Sequence, residues 1–394
     1  DPQFELEYVA KDADGASIAL SPGSANWTLL SGNSSMSVTR DGLATPLLPG
    51  DVSIKVSVDG VSSPAITISL SKAEITAKYL GPEWSSALVL GGDGFVQGGS
   101  LNDLPCLWRG TNESHVNLKP ADAISGKVLA TNSDVQVGHI YIASSIHERG
   151  GLWTGSAASF VDLTPVSPRF ALGSNATCAA NGRQGGYAIF SHPLTQLIIF
   201  PEPGYWSGTA SSWTNLLPSG FVLGAVFGIS ASNECGEVRD DSGNGKKAAL
   251  WSGTAASFKS LHPSSASESV AYGLNADYQV GSATFGSNPR AYAWRGTPGS
   301  AIDLHGSLGR SSEARVVVDQ FAAGHVDSIG TIWNIPSRRA LKLDSVLPSG
   351  FSQSEIYGGA KTSTGYDFVG YVSNPNSGVS LGVVWHVPFR RMPQ

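Results

Sequence analysis

From about residue 85 onward, short runs of β-branched and aromatic residues alternate with Gly, Asn, Asp and Pro, and the runs recur in groups of four. The clearest group comprises 269–274, 278–283, 290–297 and 301–305, which reads as a four-stranded meander. A tryptophan marks each group: Trp108, Trp153, Trp206, Trp251, Trp294, Trp333 and Trp385, separated by 45, 53, 45, 43, 39 and 52 residues. Four strands in a period of about 40 to 50 residues is the pattern of a propeller blade, so the spacing predicts a seven-bladed β-propeller. One Trp at one register in every group reads as core between blades rather than as one active site. After Trp385 the chain lacks the Asp-Leu strand that follows other tryptophans, while a spare strand-like run at 75–80 precedes the first group. That run is expected to complete the last blade and remove an open sheet edge.

Residues 1–72 lack the repeat. Period-two alternation in Phe4-Glu5-Leu6-Glu7-Tyr8, in 52–58 and in 65–70, with turns at Ser21-Pro22-Gly23 and Asp59-Gly60, predicts a small β-sandwich ahead of a propeller over 73–394. The segment 50–61 resembles the late hairpin of bacterial immunoglobulin-like domains, a resemblance that implies a spacer or adhesive module on an exported protein. The whole chain is thus read as all-β, an immunoglobulin-like sandwich followed by a propeller. In the repeat, the order Ala271-Tyr272-Gly273-Leu274-Asn275, Gln279-Val280-Gly281, Arg290-Ala291-Tyr292-Ala293-Trp294 and Ile302-Asp303-Leu304 is similar to the bacterial extracellular HAF-type repeats. Arg290-Ala291-Tyr292 stands where that family carries His-Ala-Phe. The resemblance covers 85–388 and implies export and a propeller-like fold, and it brings no catalytic residues with it.

Composition narrows the partners. Charged residues make up 14% of the chain, and 25 Lys and Arg against 31 Asp and Glu give a net charge of −6. No basic cluster offers a track for a phosphate backbone, so nucleic acid is not an expected partner. No apolar run approaches the roughly 20 residues of a spanning helix. A chain beginning at Asp1 rather than Met fits an exported protein after signal-peptide removal, placed outside the cell or on its surface. The three cysteines, Cys106, Cys178 and Cys235, form no C-x-x-C pair and support neither zinc nor dithiol chemistry. Aligned repeats put Cys178 and Cys235 in neighbouring blades, where they form either a disulfide or two buried free thiols.

Catalytic signatures are missing: no G-x-S-x-G, no H-E-x-x-H, no Gly-rich phosphate loop and no Asp-box. His115, His262 and His305 fall near fourth strands and read as recurrent surface positions. The polar run 239–247 offers Asp240, Asp241 and Asn244 to Ca²⁺ but without a calcium-loop spacing, so a solvated turn is expected, with no metal and no cofactor. Two segments suggest contacts with other molecules. Leu197, Ile198, Ile199 and Phe200 form an apolar run where a loop belongs, suited either to strand addition or to an extra strand. Phe4, Leu6 and Tyr8 share one face of a terminal strand that a neighbouring subunit's sheet could accept. The function read from these features is a non-enzymatic, exported, self-assembling or adhesive scaffold, pairing with itself or another cell-surface component. The alternative is a carbohydrate-binding, lectin-like propeller, with a glycan-active enzyme behind it.

Overall fold

The computed structural model describes the chain except residues 1–3, 7, 8, 10, 12, 13, 15, 16, 18–23, 47–49, 71–73, 83–85, 93, 94, 133, 167–170, 192–198 and 242–244. It divides into two compact units, 1–74 with 388–391 and 75–387 with 392–394.

In the first unit, Phe4–Glu5, Leu43–Pro46 and Met36–Val38 form one antiparallel sheet. Ala25–Ser31 and Gly50–Val58 form another, with Val61–Ser62 and Ile66–Leu70 also paired to Gly50–Val58. Positive φ at Asp59 (49°) and Gly60 (83°) closes the tight hairpin that Asp-Gly favours. Met36, Ala44, Val52 and Ile54 make one core, with Leu6, Trp27 and Leu29 packed on it. Phe4 pairs with Ala44 in the unit's own sheet, and Leu6 lies against the unit's own core.

Among the described residues the second unit holds seven four-stranded antiparallel sheets. Their first strands are Ala87–Gly92, Ala123–Asn132, Gly173–Ala180, Leu223–Ile229, Glu268–Leu274, Ser312–Val318 and Gln353–Lys361. Each first strand packs on the first strand of the next sheet, and the seventh packs on the first, so the sheets circle one axis as a β-propeller. Thr76–Leu80 is the fourth strand of the seventh sheet, pairing with Val379–Pro388 so that Leu80 faces Gly382.

The repeated phrase explains this geometry. All seven tryptophans are 0% exposed. Five of the indoles lie in the layer shared with the preceding sheet beside a leucine that follows its tryptophan: Trp153 packs with Leu118, Trp206 with Leu163, Trp251 with Leu216, Trp294 with Leu261 and Trp333 with Leu304. Leu80 takes that leucine's place against Trp108. Removing one such ring would cost about 3–5 kcal/mol. After Trp153 the chain turns at Gly155, whose φ of 80° suits glycine and whose N–H donates to Gln136 Oε1 at 2.8 Å. The Ser159 hydroxyl then accepts the Thr154 N–H at 2.8 Å. The same pair of bonds recurs around Gly110, Gly208, Gly253 and Gly296.

The packing decides between the two alternatives for the cysteines and corrects the surface reading of His305. Cys178 and Cys235 are buried free thiols, not a disulfide. Cys178 lies in the layer with Val226 and Trp251, whereas Cys235 lies in the layer with Ala271 and Trp294, so the fourth sheet stands between them. His305 is 4% exposed rather than a surface residue, and its Nδ1 lies 2.7 Å from Ser312 Oγ of the next sheet. His262 makes the same 2.7 Å contact with Ser269, half-buried.

Candidate functional site

Each first strand carries a β-bulge at the same register. At that register the pairing skips one residue in each sheet: Leu90, Leu129, Thr177, Phe227, Tyr272, Arg315 and Tyr357. The cause sits opposite, where each second strand places Gly99, Gly138, Gly186, Gly236, Gly281, Gly324 or Gly370. A Cβ on any of these would lie 1.7–2.0 Å from a first-strand carbonyl oxygen, so only glycine permits the close approach that the bulge demands. The residues just before the bulges, from Val89 to Ile356, are all 0% exposed, whereas the seven bulged side chains are half-buried. Together the bulges line one cavity of about 190 Å³ to which every first strand contributes.

This ring is lopsided. Leu90, Leu129, Thr177 and Phe227 make one arc with no charge, and Tyr272, Arg315 and Tyr357 make the other. The Arg315 guanidinium lies 4.3 Å from the centre of the Tyr272 ring and 5.4 Å from that of Tyr357. Its Nη2 is 2.5 Å from Glu313 Oε2. Burial alone would lower its pKa, but Glu313, Tyr272, Tyr357 and Glu355 together raise it, so the group stays charged. Tyr357 donates to Glu355 Oε2 at 2.6 Å and stacks on Tyr371, ring centres 5.9 Å apart. Burial first, then Glu313, pushes the Tyr272 phenol up to about 12, and Tyr357 is raised by burial and Glu355, so both phenols remain hydrogen-bond donors at neutral pH.

Behind the ring runs a polar belt. The residues paired two positions before the bulges are, on the second strands, Ser100, His139, Tyr187, Glu237, Ser282, His325 and Tyr371. His325 opposes Glu313, and its imidazole pKa is lowered by burial against the pull of Glu355 and Glu313. Across the ring, Tyr187 donates to Glu148 Oε1 at 2.6 Å and receives a 3.3 Å bond from Asn175 Nδ2. Neighbouring His139 is likewise lowered by burial. Buried polar groups of such variety are costly unless paired, and the repeat itself is satisfied with serine at two of the seven places.

The residues singled out for assembly lie elsewhere. Ile199 and Phe200 begin the strand Ile199–Trp206, opposite Ser191 and Phe190, so they extend the third strand of the third sheet. Leu197, Ile198 and Tyr8 fall outside the described residues. Asp240 Oδ2 pairs with Lys247 Nζ at 2.6 Å, and no group of three metal-ligating side chains occurs among the described residues. None of the described helices is long and apolar enough to cross a membrane. The bulge ring had a sequence signal, the glycine recurring in each second strand, but its lining residues share no identity.

No protein-family model matches the chain, and no curated protein matches it. Among solved structures it is similar to oligogalacturonate lyase from Vibrio parahaemolyticus, at 9% identity and TM-score 0.47, covering 82% of this chain and 100% of that one. It is also similar to the β-propeller domain of the Trilobed protease from Pyrococcus furiosus, at 9% identity and TM-score 0.38, covering 79% of this chain and 86% of that one. TolB from Acinetobacter baumannii matches at 10% identity and TM-score 0.37, covering 92% of this chain and 80% of that one. At these identities and scores the likenesses carry no functional argument.

Proposed function

We propose that the seven sheets are the blades of one closed, seven-bladed propeller on an exported protein, following an immunoglobulin-like sandwich, and that the propeller binds an uncharged carbohydrate without turning it over. The observation that carries this reading is the lopsided ring of bulged residues, which gathers Tyr272, Arg315 and Tyr357 at one wall of one cavity. Glu313 already balances Arg315, and Glu355 already accepts from Tyr357. A wall of paired charges and protonated phenols offers directional hydrogen bonds with little net charge, which suits hydroxyl groups better than phosphate or sulfate. The resemblance of the repeat to extracellular HAF-type repeats supports export. Glycan-array screening of the full chain, followed by calorimetry, tests the reading. Neutral oligosaccharides should bind at micromolar affinity, and Arg315→Ala and Tyr357→Phe should each weaken binding by about tenfold or more, near 1.4 kcal/mol. A wild-type chain that binds no glycan overturns it.

A second reading is the self-assembling scaffold, favoured by one feature. Phe4–Glu5 ends its sheet, so its outer edge has no strand partner among the described residues. Electron microscopy of the secreted protein should then show ordered polymers that vanish when residues 1–5 are deleted.

A further inference from the structure

A second cavity of about 290 Å³ opens beside Tyr272, so one side chain lines both it and the central ring. Its walls include Lys246, Glu268, Thr284, Ser287 and Glu313, drawn from the fourth, fifth and sixth sheets. The fourth sheet joins Arg239 to Lys247 through residues 240–246, while the fifth turns from Phe285 to Asn288 through Gly286 and Ser287 alone. Lys246 comes from the longer connection.

The polar groups of this cleft divide into used and unused. Lys246 Nζ is 3.1 Å from Glu237 Oε2, and Arg315 holds Glu313, so two of the three carboxylates near the cleft are balanced. The Glu268 carboxylate and the Thr284 and Ser287 hydroxyls have no hydrogen-bond partner among the described residues. The rim cavity of about 320 Å³ at 303–308 differs, because Asp303 and His305 there are already tied into the repeat.

We propose that the cleft is a subsite for one neutral hexose unit of the carbohydrate held at the ring, its hydroxyls bonded by Glu268, Thr284 and Ser287. This rests on the carbohydrate reading above. The volume falls at the small end of ligand pockets, about 300 Å³ upward, which matches a single sugar ring. The exposed Glu268 carboxylate, with no charged partner among the described residues, accepts from vicinal hydroxyls and repels uronates.

The test uses the full chain and a set of neutral and uronate oligosaccharides matched in length. Three variants address the cleft: Glu268→Gln, Thr284→Val with Ser287→Ala, and Ser287→Trp, which fills it. Arg315→Ala addresses the ring. Cleft variants should keep the wild-type melting temperature, lose tenfold or more in affinity for neutral oligomers, and leave single-sugar binding at the ring intact. Full-affinity binding by all cleft variants, with loss in Arg315→Ala, overturns the subsite and spares the ring. Tighter binding of uronates than of neutral oligomers overturns the subsite as well. A wild-type chain that binds none of the set overturns the carbohydrate reading on which both stand.

Discussion

In the fourth sheet a fully buried Glu234 occupies the place that Gln97, Gln136, Gln184 and Gln279 hold in other sheets, accepting the turn glycine's N–H at 2.9 Å. A buried carboxylate needs a counter-charge, and Arg183 supplies it from the third sheet while lying 3.9 Å from the centre of the Tyr205 ring. Arg183→Met should therefore cost about 3–5 kcal/mol in chemical denaturation, and adding Glu234→Gln should recover most of it, because the amide restores the ordinary repeat. A second residue-scale effect concerns pH. His139 and His325 sit at one belt register, and burial holds both imidazoles below the ordinary 6.5. The unfolded chain therefore binds more protons just below pH 6.5, so their contribution to stability is complete above that pH and is lost as pH falls below it. The loss is at most about 1.4 kcal/mol per pH unit for each group. Glu237, raised by burial above 4.5, acts with the opposite sign, stabilising at low pH and losing that contribution as pH rises through its folded value. Melting temperature should fall between pH 7 and pH 5.5, and His139→Gln with His325→Gln should flatten that slope; an unchanged slope would show that the two imidazoles do not set it.

At the scale of the strand, the defining event is the bulge, and its determinant is the glycine across from it. Gly281→Ala would put a methyl group 1.9 Å from the Val270 carbonyl oxygen, so the strands must separate or the bulge flatten. We expect a loss of more than about 2 kcal/mol, together with weakened binding at the ring, because Tyr272 is the side chain that this bulge projects. Gly286→Ala, in a turn with open space around it but φ of 80°, should cost only about 1 kcal/mol and spare binding. Much of the element pattern was legible because apolar runs and turn residues carry it locally: Trp294, the Gly296 turn and Leu304 all lie where the phrase places them. The site was not legible in the same way. Leu90, Thr177, Phe227, Arg315 and Tyr357 share a position but no chemistry, and only strand register reveals that position. Faces were equally hidden. Cys178 and Cys235 fall in neighbouring sheets as the repeat alignment suggests, yet which side of a strand a residue faces decides whether two sulfurs can meet.

For the ring as a whole, the pairing of Thr76–Leu80 with Val379–Pro388 joins the two ends of the second unit in one sheet. Without it the seventh sheet ends at an unpaired edge, and Trp108 loses the leucine that covers the other indoles. Closure is therefore both a hydrogen-bonded ladder and a hydrophobic plug, and the two can be separated. Leu80→Ala keeps the ladder and should cost about 2–5 kcal/mol, the range for a fully buried leucine, with the chain's oligomeric state unchanged. A chain beginning at residue 81 removes both. It should melt well below the wild type, show increased fluorescence quenching of Trp108 and Trp385 by acrylamide, and associate through the open edge of the strand ending the seventh sheet. Supplying the peptide 74–81 in excess should reverse these changes, because a strand that binds only the folded ring stabilises it by mass action. A truncated chain that keeps the parent's oligomeric state and stability would mean that the last sheet is complete with three strands, and that ring closure is held by packing of the first strands alone.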